Sequence, residues 1–146
     1  MKLYLMRHGQ ASSPDVDPRQ GLSPAGKAEI ERLASQLAEQ GIRFQQVLHS
    51  EKDRAMQTAR LMAAACAPGI VPELRSGLKP NDDPRLILPD IDKWQHDTLL
   101  VSHLPFAPGL LSLLCGNSIN VSFSTGTVVC LNKQDSGWQF EWHVSP

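Results

Sequence analysis

The chain has 146 residues, 41% apolar and 20% charged, which suits one globular domain over residues 1–146 with one sizeable core. Its 14 basic and 15 acidic residues leave a formal net charge of -1, giving no electrostatic reason to expect nucleic acid or an anionic membrane as partner. The apolar run Met1 to Met6 is too short for a signal-peptide core or a membrane span. Cys66, Cys115 and Cys130 form no C-x-x-C pair, so a cytoplasmic protein with reduced thiols is expected.

Leu3 to Met6 reads as a strand buried on both faces. Residues 9 to 22, with Gly9, Pro14, Pro18 and Gly21, read as loop. Ser23 before Pro24 is an N-cap followed by proline at the first helical position, and Ile30, Leu33, Ala34, Leu37 and Ala38 recur at helical spacing before Gly41. Phe44 to Leu48 predicts a second strand, and Asp53 to Cys66 a helix stopped by Pro68 and Gly69. Ile70 and Val71 predict a short third strand. Residues 75 to 96 hold three prolines and read as loop with a helical turn or two near Arg85 to Leu88. Thr98 to Val101 is a buried strand, Leu110 to Leu114 a helix, and Thr127 to Leu131 with Gln139 to His143 an antiparallel hairpin turning at Asp135 to Gly137.

This alternation predicts a three-layer α/β/α sandwich with a mainly parallel central sheet and an antiparallel C-terminal strand. In such sheets the reactive crevice lies beyond the carboxyl ends of the strands. The first strand ends in Arg7-His8-Gly9, the second in His49-Ser50 with Arg54 opening the next helix, and the fourth in Ser102-His103. Two guanidinium groups and two imidazoles at one sheet edge form a site for a doubly charged anion, phosphate being the commonest. Each residue alone has a plainer account, a lone His as a structural residue and Arg54 as a solvated one. Their convergence is what points to chemistry.

The Arg7-His8-Gly9-Gln10 stretch resembles the signature of the histidine phosphatase superfamily, the phosphoglycerate-mutase-like family. Ser50, Arg54, Ala55, Gln57, Thr58 and Ala59 are similar to its second motif, and Ser102-His103 to its third. The short chain, the Val101 to Pro105 stretch and the tail from Trp142 to Pro146 look most like the SixA type, the phosphohistidine phosphatases of bacteria. The resemblance implies that His8 is the nucleophile and carries a covalent phosphohistidine. It implies that Arg7, Arg54 and His103 hold the phosphoryl oxygens, with no metal and no cofactor. His8 must then present an unprotonated nitrogen, its tautomer fixed by a partner on the other nitrogen.

The family usually supplies a carboxylic acid just after the third strand. Glu73 lies two or three residues early for that role, with Ser76 nearer the expected place and Asp82 and Asp83 further candidates. An imidazole leaving group, with a pKa of about 6.5, needs a proton donor less than an alkoxide does. With only a short segment between the third and fourth strands, the expected substrate is phosphohistidine on another protein, a phosphotransfer domain or a phosphocarrier. The alternatives are a phosphatase or mutase for a small phosphate ester, with Glu73 as its acid, and a non-catalytic phosphoprotein-binding module. A metal site using His8, His49 and His103 is a weaker fourth, disfavoured by the arginines. Arg19 is a further candidate partner contact, although an ordinary exposed arginine accounts for it as well.

Overall fold

A computed structural model describes every residue, Met1–Pro146. Six strands form one sheet: β1 (Lys2–Arg7), β2 (Gln46–His49), β3 (Glu73–Leu74), β4 (Thr98–Ser102), β5 (Val128–Gln134) and β6 (Gly137–Val144), in the order β3-β2-β4-β1-β5-β6. The first four in that order run parallel, while β5 runs antiparallel to β1 and β6 antiparallel to β5. The helices α1 (Pro24–Glu39), α2 (Asp53–Cys66), α3 (Leu88–Lys93) and α4 (Phe106–Cys115) cover both faces. The expected three-layer α/β/α sandwich is the architecture found.

The period-2 alternation of the central strands sorts their side chains between two cores. Tyr4, Met6, Val47, Leu99 and Val101 face Ile30, Leu33, Ala59 and Met62 of α1 and α2. Leu3, Leu5, Leu48 and Leu100 face Ile91, Phe106 and Leu110 of α3 and α4. β6 departs from simple alternation. Cys130 pairs with Trp142 but Leu131 pairs with Phe140, so Glu141 is an extra residue in the ladder. This bulge sends Trp142 and Val144 to the first core, and Trp138 and Phe140 to the second. Glu141 itself meets Lys2 Nζ at 3.0 Å.

Three expectations are corrected. The third strand is Glu73–Leu74, not Ile70 and Val71. Gly69 has φ of 83° and the Ile70 N–H donates to the Ala67 carbonyl, so the chain is still turning there, and Pro72 has no N–H to give a ladder. Pairing begins once Pro72 is passed. The helical segment near residue 85 is longer than expected: a 3-10 turn at Pro84–Ile87, capped by Asp83, runs into α3, with Pro89 tolerated in the first turn. Similarly, α4 begins at Phe106, four residues before Leu110, because Pro108 also sits in a first turn. All three cysteines are free, and no helix is long and apolar enough to cross a membrane.

Candidate active site

The parallel strands β1, β4 and β2 are neighbours, and their carboxyl ends are level: Arg7 pairs with Ser102, and His49 with Val101. The His8 N–H donates to the Ser102 carbonyl at 3.0 Å, which fixes the residue after β1 against the end of β4. On the other side of β1 the Gly126 N–H donates to the His8 carbonyl at 2.9 Å. Gly126 has φ of 80°, a conformation that a side chain would strain. The His8 backbone is thus held from both neighbouring strands.

The two imidazoles face one another, with ring centroids 5.0 Å apart. His8 Nδ1 lies 2.7 Å from the Gly9 carbonyl. A carbonyl accepts, so Nδ1 carries the proton and Nε2 keeps its lone pair. Burial depresses the His8 pKa to about 4; the Gly9 hydrogen bond opposes this, and Arg54 and Arg7 add to it. His8 is therefore a neutral imidazole with a fixed tautomer at neutral pH.

His103 is held differently. Its Nε2 is 2.6 Å from Ser50 Oγ, which also accepts the Lys52 N–H at 3.3 Å. Ser50 is fully buried and His103 Nε2 is the one acceptor within reach of its hydroxyl, so the hydroxyl hydrogen goes to His103 Nε2. His103 Nδ1 then carries a proton, and it is buried with no partner. Burial lowers the His103 pKa to about 3, with His8 and Arg54 contributing, so this ring is also neutral.

Arg7 donates from Nη1 to the Phe123 carbonyl at 2.9 Å, while its Nε is buried without a partner. Burial pulls its pKa below the ordinary guanidinium range. Arg54 stands in the first turn of α2, close enough for its charge to act on both imidazoles. An unpartnered guanidinium N–H and an unpartnered imidazole N–H in buried positions are costly unless an acceptor arrives. A tetrahedral oxyanion supplies such acceptors.

Residues outside this group shape it. Thr58 Oγ1 accepts the Gly9 N–H at 3.0 Å while donating to the Arg54 carbonyl at 2.7 Å, so one hydroxyl ties the loop that follows His8 to the helix that carries Arg54. Gln57 Oε1 accepts the Leu22 N–H at 2.7 Å and holds the far end of the same loop. Gly26 permits the loop to lie on α1, since a Cβ there would be 2.2 Å from the Gln10 carbonyl oxygen. The roles of Ser50, Gln57 and Thr58 were not read from sequence, although all three stand in the second motif. The Phe123 carbonyl carries no sequence signal at all, because it is main chain.

The structure thus brings together Arg7, His8, Arg54 and His103. It does not bring Glu73 to them. Glu73 is exposed on the edge strand, level with Leu48, Leu100 and Leu5. That register puts it about 14 Å across the sheet from His8 and about 10 Å lower along it. It lines a surface recess with Gln45, Lys93 and Trp94 instead. Asp82, by contrast, shares a cavity with Arg54. Asp83 is occupied by Arg85, and Arg19 by Asp53. His49 is buried and its Nδ1 bonds the Ser50 carbonyl at 2.8 Å, so the three histidines form no group that could hold a metal ion.

The model of the histidine phosphatase superfamily, branch 1, matches residues 3–80, which contain both the Arg7-His8 signature and the Ser50 to Ala59 motif. The chain belongs to that superfamily. It is accordingly a phosphatase, a hydrolase of the histidine type. The phosphohistidine phosphatase SixA of Escherichia coli strain K12 is 28% identical over 155 residues, spanning 100% of this chain and 94% of its own length. A solved structure of the protein histidine phosphatase SixA, complexed with tungstate, superposes with a TM-score of 0.89 at 26% identity. The match covers 99% of this chain and 97% of that one. A phosphoglycerate mutase from Bacillus anthracis shares the fold, with a TM-score of 0.76 at 17% identity over 97% of this chain and 91% of its own.

Proposed function

We propose that this phosphatase hydrolyses phosphohistidine carried by another protein, a phosphotransfer domain or a phosphocarrier, through a covalent intermediate on His8. The substrate's imidazole takes a proton from solvent on its free nitrogen; His8 Nε2 then attacks phosphorus as the P–N bond breaks, and the imidazole departs neutral. Water then adds its oxygen to phosphorus as the bond to His8 Nε2 breaks, its proton passes to solvent, and inorganic phosphate departs. Arg7, Arg54 and the His103 Nδ1–H hold the transferring oxygens and stabilise the charge that spreads over them. His103 acts as a neutral donor in this scheme.

The observation that carries this reading is the neutral His8 with its Nε2 free, in one cluster with two unpartnered buried donors. The substrate class rests on the full-length likeness to SixA and on the short connection from residue 75 to 97. That connection holds only the 3-10 turn and α3, so the approach to His8 stays open to a side chain presented by a protein. The test is to supply a phosphorylated donor and trap the protein. An acid-labile phosphoryl group on His8 is expected, with His8→Ala unlabelled and slowed on the order of a thousandfold or more. Full turnover in His8→Ala overturns the covalent route.

A second reading, hydrolysis of a small phosphate ester, is favoured by one observation: Asp82 lines the cavity that Arg54 shares. It requires that Asp82→Asn slow ester turnover at least tenfold while leaving phosphohistidine turnover intact.

A further inference from the structure

Beside the His8 group lies a cavity of about 350 Å³ lined by Lys52, Arg54, Lys79, Pro80, Asn81 and Asp82. None of these is a hydrophobic side chain, so the recess is not shaped for an apolar group. Asp82 Oδ2 accepts the Lys79 N–H at 2.9 Å, and Lys79 Nζ meets Glu51 at 3.5 Å. The Lys52 ammonium has no ion-pair partner. Lys52 is also the N-cap of α2, whose first turn has no side-chain cap. Three cations set against Asp82 and Glu51 leave a surplus of about one positive charge in a recess that opens next to the phosphoryl position. That surplus suits a singly charged carboxylate better than a second phosphate, which would bring nearly two charges against Asp82.

We propose that this cavity is a docking subsite for an acidic side chain of the protein substrate, one that flanks its phosphohistidine. The proposal rests on the phosphohistidine reading above. Arg54 links the two positions, since it lines this cavity while its charge reaches the imidazoles. Lys79 and Lys52 contact the carboxylate, and Asn81 adds a neutral donor. Asp82 turns away anions of higher charge. Recognition of this kind selects among phosphohistidine proteins without touching the chemical step.

Two synthetic phosphohistidine peptides test it, identical except that a glutamate near the phosphohistidine in one is glutamine in the other. The wild-type protein is expected to favour the acidic peptide in kcat/KM by roughly tenfold at low salt, a preference that shrinks as salt is raised. Lys79→Ala and Lys52→Met are each expected to lower kcat/KM for the acidic peptide by about threefold to fivefold, the reach of one partly exposed ion pair. Lys79→Ala should leave the glutamine peptide and free phosphoramidate unchanged, and Lys79→Arg should keep most of the preference. Equal turnover of the two peptides by the wild type overturns the subsite and leaves the phosphohistidine reading standing. So does a loss that is the same for phosphoramidate. If neither peptide is turned over while a small ester is, the phosphohistidine reading falls and the subsite falls with it.

Discussion

At the scale of single residues, the two imidazoles are prepared for opposite tasks by different neighbours. A backbone carbonyl takes the Nδ1 proton of His8 and frees its Nε2, while a serine hydroxyl feeds Nε2 of His103 and leaves its Nδ1–H pointing at nothing. Ser50 is therefore a positioning residue. Ser50→Ala is expected to lower kcat by about tenfold and to cost about 1–3 kcal/mol of stability, since it leaves the buried His103 Nε2 without its donor. Ser50→Thr should restore most of the rate. Nitrogen NMR distinguishes this from a purely structural role, because His103 should change from a single Nδ1–H tautomer to a mixture in Ser50→Ala alone. A proton NMR titration of the free protein checks the buried pair itself. The His8 ring is expected to titrate near pH 4 and the His103 ring near pH 3. A midpoint at the ordinary 6.5 for either ring would mean that it is solvated rather than buried.

At the scale of elements, the loop from Gly9 to Leu22 is pinned at both ends by consecutive residues of α2, Thr58 and Gln57, and rests on α1 at Gly26. Adding one methyl at Gly26 drives it into the Gln10 carbonyl. Gly26→Ala is expected to cost about 2–4 kcal/mol of stability, measured by denaturant unfolding, and to raise KM by loosening the Gly9 end of the loop. The sequence showed most of this scale plainly. Long periodic segments such as Ile30 to Ala38, and continuous apolar runs such as Thr98 to Val101, announce their own conformation. The strand ends carrying Arg7-His8 and Ser102-His103 followed directly from them. What stayed hidden has a shared physical cause. Pro89 helped the region from 75 to 96 read as loop, but it and Pro108 stand in first turns, where proline is harmless. The apolar pair Ile70 and Val71 read as a strand, but Pro72 delays pairing to Glu73. The bulge at Glu141 is a matter of ladder register, which depends on the partner strand and leaves no local trace. Glu73 was a candidate only because the third strand was placed too early in the chain.

At the scale of the molecule, burial of two neutral imidazoles couples the site to the stability of the whole. Unfolded, each takes up a proton near pH 6.5; folded, only near pH 4 for His8 and near pH 3 for His103. Between those limits the unfolded chain binds more protons, so stability is fully present above pH 6.5 and declines as pH falls toward 4. The thermal midpoint should be level from pH 8 to about 6.5 and fall below it, and His103→Gln should flatten that fall. Tungstate or phosphate, bound by the same donors, should raise the midpoint in the wild type and much less in Arg7→Ala.

The place of β1 in the sheet reaches beyond catalysis, into how the protein is made. Of the strands in this sheet the earliest made, β1, is an inner one, bordered by β4 and β5, so it has no partner within the sheet until residues 98 and 128 have been synthesised. The main-chain groups that clasp Arg7 and His8 from the other side, at Phe123 and Gly126, also belong to the last quarter of the chain. A nascent fragment ending before them holds His8 but no cradle for it. Pairings of such long sequence separation close slowly, and the phosphatase becomes competent only once the final hairpin has docked.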